Sequence, residues 1–144
     1  MELLPVNQIR VNVDAPDWQA AVRATGRILV ENGLAEEPYI EAMVEMVKEL
    51  GPYIVMTPGI AIPHARPEEG AIKVGFAATK LTHPLEFGNK DNDPVYLVLG
   101  FCSPSAQAHI ELLAKIAEAL EKENLLELIK AAKTPEDIAA LFNG

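Results

Sequence analysis

Val95-Tyr96-Leu97-Val98-Leu99-Gly100-Phe101 is an unbroken apolar run, set between the polar turn Asn89 to Asp93 and the pair Ser103-Pro104. A strand with one wet face alternates polar and apolar side chains, whereas a run without alternation needs cover on both faces. The run therefore reads as a central, fully buried strand. A chain that contains it must supply layers to pack on both sides of a sheet.

The flanking sequence supplies them. Gln8 to Val13 alternates in part and reads as a short first strand. Asp17 predicts the cap of a helix from Trp18 to Asn32, with Gly33 as its stop. Trp18, Ala21, Val22, Thr25 and Leu29 follow helical spacing within it. A second helix begins near Pro38, carries its stripe on Ile40, Met43, Val44, Val47 and Leu50, and ends at Gly51-Pro52. The pattern then changes. Tyr53 to Met56 and Ile60 to Ile62 are short strand runs split by Thr57-Pro58-Gly59. In Ala71 to Leu81, the apolar Ile72, Val74 and Phe76 alternate with Lys73 and Gly75, as in a strand. Ser105 predicts the cap of a helix from Ala106 to about Leu120, buried through Ile110, Leu113, Ala114, Ala117 and Leu120. Leu125 to Ala132 is a further helix, and Thr134 caps a last one beginning at Pro135. The expected fold is α/β with three layers: a central mixed β-sheet of about five strands, flanked by helices on both faces. The 144 residues suit one domain, 1–144. A chain of that size buries roughly 70% of its unfolded surface and needs no staples. Strand order is left open.

Composition narrows the function classes. The single cysteine, Cys102, rules out an intrachain disulfide and suits a reducing compartment. No basic-then-apolar leader opens the chain and no apolar run of about 18 residues occurs, so the expected location is cytoplasmic. A net charge of −9 argues against gripping nucleic-acid phosphates. Glu31, Glu36, Glu37, Glu41, Glu45 and Glu49 surround the lone Lys48, as a solvated helix face or as a surface that steers a basic partner. No Walker loop and no Gly-x-Gly-x-x-Gly is present. His64 and His109 are 45 residues apart with no third nitrogen or sulfur ligand near either. Neither a metal nor a cofactor is expected.

Chemistry concentrates in Pro58-Gly59-Ile60-Ala61-Ile62-Pro63-His64-Ala65-Arg66. Pro63 ends a strand-type run and holds Ile62 extended, so His64 sits at a strand-to-loop switch, where ligand sites of open α/β sheets gather. A neutral imidazole is nucleophilic near pH 7 and can hold a phosphoryl group as a phosphoramidate. Ala65 leaves room, and Arg66 can answer the new charge. The plainer alternative is a histidine that ends a strand with its ring hydrogen-bonded. His109 lies about one turn into the helix capped by Ser105, where N–H groups and the dipole favour anions. It can donate to a phosphoryl oxygen or orient His64, or it can be an ordinary helix histidine. If Val95 to Phe101 lies beside the strand ending at His64, both imidazoles reach one sheet edge. His83, in a turn-like stretch, reads as a surface residue, and Cys102 as packing.

Gly59-Ile60-Ala61-Ile62-Pro63-His64-Ala65 resembles the phosphohistidine signature of Enzyme IIA domains of the mannitol/fructose class, from the bacterial phosphoenolpyruvate-dependent sugar phosphotransferase system. The family pattern places an acid or amide 15 residues before the histidine, where this chain has Glu49, and an aliphatic residue eight before, here Met56. Thr57 stands where Gly or Ala is usual, and Lys48 where many relatives carry Arg. Gly51-Pro52-Tyr53, Pro67-Glu68-Glu69-Gly70, Pro84-Leu85-Glu86-Phe87 and Asp91-Asn92-Asp93-Pro94-Val95 look like the ascorbate branch. The resemblance implies that His64 takes a phosphoryl group from the carrier protein HPr and passes it to a cysteine of a separate Enzyme IIB. That route serves the membrane permease Enzyme IIC indirectly. It also implies that His109 supports His64, and that Arg66 and Lys48 stabilise the transferring charge. L-ascorbate is the expected sugar. The alternatives are a mannitol/fructose-type sugar, a regulatory module of the same fold that is phosphorylated but feeds no transporter, a histidine-dependent hydrolase, or an inert interaction domain.

Overall fold

The computed structural model of the protein describes residues 3–143, so residues 1, 2 and 144 of the expected domain lie outside the described residues. Four strands, β1 (Ile9–Val13), β2 (Ile60–Ala61), β3 (Gly75–Leu85) and β4 (Val95–Cys102), form one sheet in the order β1-β3-β4-β2. β1 runs parallel to β3, β3 antiparallel to β4, and β2 parallel to β4, so the sheet is mixed. The unbroken apolar run occupies an inner position, as expected of a strand buried on both faces.

The helices are α1 (Trp18–Glu31), α2 (Pro38–Leu50), α3 (Ala106–Leu120), α4 (Leu125–Ala131) and α5 (Pro135–Asn143). Their ends follow local chemistry. Asp17 accepts the N–H of Ala20, Ser105 accepts that of Ala108, and Thr134 accepts that of Asp137. Each such cap is worth about 1 kcal/mol. Two cores result, one on each face of the sheet. Val22, Leu29, Met43, Val44 and Val47 of α1 and α2 pack with Ala61, Ala77 and Val98. Leu112, Ile116, Ile129, Ile138 and Phe142 of α3 to α5 pack with Ile60, Ile62, Leu97, Leu99 and Phe101 on the other. Each fully buried side chain of this size contributes roughly 1.5–3 kcal/mol.

Several expectations need correction. Among the described residues the sheet has four strands, not five. Tyr53 to Met56 is not a strand: Gly51–Ile54 forms a 3-10 turn, with Ile54 and Val55 buried and Tyr53 and Met56 exposed. β3 starts at Gly75 and continues to Leu85. Ile72 and Val74 are exposed, and the N–H groups of Ile72 and Lys73 both donate to the Leu34 carbonyl. His83 is exposed on this strand, not in a turn. In α3 the buried face is Leu112 and Ile116, with Leu113, Ala119 and Leu120 half-buried, whereas Ile110, Ala114 and Ala117 are exposed. The acidic stretch is a solvated face, as expected, and five of its six glutamates have a cation partner. Glu31, Glu37, Glu41, Glu45 and Glu49 meet Arg10, Arg27, Arg23, Lys48 and Arg66 respectively. Such exposed pairs are each worth about 0–1 kcal/mol.

Candidate active site

β2 is two residues long and is held by its surroundings. The Gly59 N–H donates to Asn92 O at 2.9 Å and the Ile62 N–H to Ile54 O at 2.9 Å. The loop from Glu86 to Pro94 is itself fastened, because the Asp93 carboxylate accepts the N–H groups of Phe87, Gly88 and Asn89. The amides of Asn89 and Asn92 then donate to Val55 O at 3.2 and 2.9 Å. Gly59 has φ +79°, which an L side chain rarely adopts. Pro63 offers no N–H, so the ladder loses a bond there.

Register delivers the site. Ile60 pairs with Leu97 and Ala61 with Val98. Continued three residues further, that register sets His64 beside Phe101. Side chains alternate along a strand, so Ile60, Ile62 and His64 share the face that α3 covers. The His64 ring stacks on the Phe101 ring at 4.8 Å between centroids and 24° between planes. His109, one turn into α3, meets Phe101 edge-on at 4.9 Å and His64 at 5.4 Å with 75° between planes. Three rings thus touch pairwise, with Phe101 fully buried beneath and the two imidazoles half-buried above. The two histidines singled out in the sequence are together at one sheet edge.

His64 Nδ1 lies 3.2 Å from Ile62 O. A carbonyl only accepts, so Nδ1 carries the proton and Nε2 keeps its lone pair. Burial holds the His64 pKa below its ordinary value; the Ile62 carbonyl opposes this and the charge of His109 adds to it. The ring is therefore neutral, and a nucleophile, over a wider range of pH than a free histidine.

The remaining residues divide. Arg66 is exposed and pairs with Glu49 at 3.7 Å; Lys48 pairs with Glu45 at 3.2 Å on the outer face of α2. Cys102 is buried, its thiol directed at Leu34 O and Lys73 O, and burial pushes its pKa up to about 12. It is a packing residue, as the sequence suggested. Two residues escaped sequence reasoning. Phe101 was legible as buried but not as the floor beneath both histidines. Tyr39 is buried in the first turn of α2, and its hydroxyl reaches Ala65 and Phe101. Its helical spacing to Met43 and Val47, at four and eight residues, was the available signal.

The family model described as "Phosphoenolpyruvate-dependent sugar phosphotransferase system, EIIA 2" matches residues 2–144. The chain is 36% identical over 138 residues to the ascorbate-specific PTS system EIIA component of Salmonella typhimurium, covering 95% of this chain and 90% of that protein. It superposes with a TM-score of 0.84 and 32% identity on the mannitol-specific cryptic phosphotransferase enzyme IIA CmtB of Escherichia coli, over 98% of this chain and 95% of that one. It shares its fold with enzyme IIA mannitol of Escherichia coli, seen there in complex with phosphorylated enzyme IIB mannitol (TM-score 0.82, 23% identity, 97% and 98% coverage). A match over almost the whole length, to a family of phosphoryl-transfer relays, places this chain in the type 2 EIIA family of the phosphoenolpyruvate-dependent sugar phosphotransferase system.

Proposed function

We propose that His64 Nε2 accepts a phosphoryl group from phospho-HPr and passes it to the cysteine of a cognate Enzyme IIB, in a cytoplasmic relay that serves L-ascorbate uptake. One observation carries the reading: a half-buried imidazole with Nδ1 committed to a carbonyl, and a second imidazole 5.4 Å away at a helix N-terminus. In the first step the Nε2 lone pair attacks phosphorus, and the bond to the HPr imidazole breaks with its electron pair returning to that ring. In the second, the IIB thiolate attacks phosphorus and the P–Nε2 electron pair returns to His64. The transition state is loose and nearly in line, so catalysis is mostly positioning and charge stabilisation.

His109 supplies a donor for a phosphoryl oxygen, and Arg66 and Lys48 supply positive charge, each charge-assisted bond worth about 1–3 kcal/mol. Arg66 must leave Glu49, and Lys48 must leave Glu45, to do so. An exposed pair holds each by at most about 1 kcal/mol, less than a bond to the phosphoryl group is worth. The ascorbate assignment is supported by the Salmonella typhimurium relative; CmtB makes mannitol the competing reading.

The test incubates the protein with phosphoenolpyruvate, Enzyme I and HPr, then offers purified IIB proteins from ascorbate and mannitol systems. Fast transfer to the ascorbate IIB is expected; preference for the mannitol IIB reassigns the sugar, and transfer to neither favours a regulatory module. His109→Ala is expected to retain labelling yet slow onward transfer by about 10- to 10³-fold, or 1.4–4 kcal/mol. Unchanged transfer in that variant removes His109 from the relay.

A further inference from the structure

We propose that Tyr39 is a positioning residue for phosphoryl transfer: its hydroxyl is inserted into the β2–β4 ladder beside His64 and sets the gap in which the two imidazoles meet. The inference rests on His64 as the phosphoryl acceptor and adds a residue outside the histidine motif. In a regular parallel ladder a residue donates its N–H to the carbonyl before its partner and accepts from the N–H after it. Leu97, paired with Ile60, obeys this by donating to Gly59 O at 3.2 Å. Phe101, aligned with His64, obeys the first half by donating to Pro63 O at 3.3 Å. The second half is replaced. The Ala65 N–H donates to Tyr39 Oη at 3.1 Å, and the phenol donates to Phe101 O at 2.9 Å, with Ala65 O as a second acceptor at 3.2 Å.

A hydroxyl has one proton and two lone pairs, so it can accept from one strand and donate to the other at once. Tyr39 thereby holds the two backbones one oxygen atom further apart than direct pairing would, at the level of His64. The phenol is buried, and burial pushes its pKa up, so it stays a neutral donor–acceptor throughout the working pH range. Thr25 and Met43 crowd the same edge from α1 and α2: a Cβ at Gly100 would sit 2.8 Å from Thr25 Cγ2 and 3.0 Å from Met43 Cε. The gap is thus packed on the α1–α2 side of the sheet, while the histidines occupy the other.

Without the hydroxyl, the Ala65 N–H either collapses onto Phe101 O or is left unpaired. Either change moves His64 against His109, and displacements near 1 Å can cost up to about 10²-fold in rate. The test is Tyr39→Phe, with steady-state transfer from phospho-HPr to IIB and the imidazole nitrogen shifts of His64 measured by NMR. A fall in kcat of about tenfold, with KM within about twofold and altered His64 shifts, is expected. A lowered melting temperature with kcat and His64 shifts equal to wild type overturns the inference, because that is what a structural role alone gives. Should Tyr39→Phe not fold, 3,5-difluorotyrosine placed at 39 retains the ring while weakening the hydroxyl as an acceptor. The same two readouts apply, and their constancy overturns the inference. Mapping the label in the unaltered protein separates the two claims. A label away from His64 defeats the acceptor reading, whereas a label on His64 with an indifferent Tyr39→Phe defeats only the role of Tyr39.

Discussion

Phe101→Leu probes the floor of the site. The ring is fully buried and has three aromatic neighbours, His64 at 4.8 Å, His109 at 4.9 Å and Phe76 at 5.6 Å. Truncating a buried Phe to Ala costs about 3–5 kcal/mol, and Leu retains enough volume to bring the cavity part down to about 1–2 kcal/mol. Each aromatic pair adds about 0.5–1.5 kcal/mol, with the half-exposed imidazole pairs at the low end. The loss should be about 2.5–4.5 kcal/mol, large against a total stability of about 5–15 kcal/mol but compatible with a folded protein. Urea denaturation followed by circular dichroism reads it. The same change lets water approach His64, so its pKa should rise toward its ordinary value, and transfer to IIB should slow. A loss below about 1 kcal/mol, with the His64 titration and the transfer rate unchanged, would refute the claim that Phe101 is the template for both rings.

Two further predictions follow from the geometry. The His64 pKa is depressed in the fold, chiefly by burial, so on acidification the unfolded chain takes up its proton first. Its contribution to stability is complete above its unfolded pKa of about 6.5 and is lost as pH falls through the folded value. Urea midpoints measured against pH should therefore fall more steeply below pH ~6.5 in the wild type than in His64→Gln; parallel curves would contradict the depressed pKa. Gly59→Ala forces an L side chain to φ +79° and sets its Cβ 2.3 Å from Leu126 Cδ1. Leu126 is half-exposed and can swing away, so the backbone term dominates, at about 1–2 kcal/mol. Thermal denaturation indistinguishable from wild type would show that the turn does not need this conformation.

Much of the fold was legible because the deciding signals are local. The caps Asp17, Ser105 and Thr134 are side-chain-to-backbone bonds spanning three residues, and the unbroken run in β4 needs cover whatever its neighbours are. What misled was non-local. Tyr53 to Met56 is apolar enough for a strand, but Ile54 and Val55 are buried in an irregular segment while their neighbours are exposed. In α3, alanines and leucines cover most of the circumference, so two faces compete, and only packing against Phe101 and the sheet selects Leu112 and Ile116 over Ile110. Of the site, His64 and His109 were each visible as candidates. Their contact depends on β2 lying beside β4, a strand order that periodicity does not encode. Tyr39 was hidden for the same reason, since its partners are backbone groups of residues 65 and 101.

The most direct measurement is the site of phosphorylation. The protein is charged with phosphoenolpyruvate, Enzyme I and HPr, and the label is located by mass spectrometry, with phosphorus–nitrogen NMR to identify the bonded atom. A single phosphoryl group on Nε2 of His64 is the predicted result. A phosphoryl group on Nδ1, on His109 or on any other residue, or no uptake by a folded protein, would contradict it.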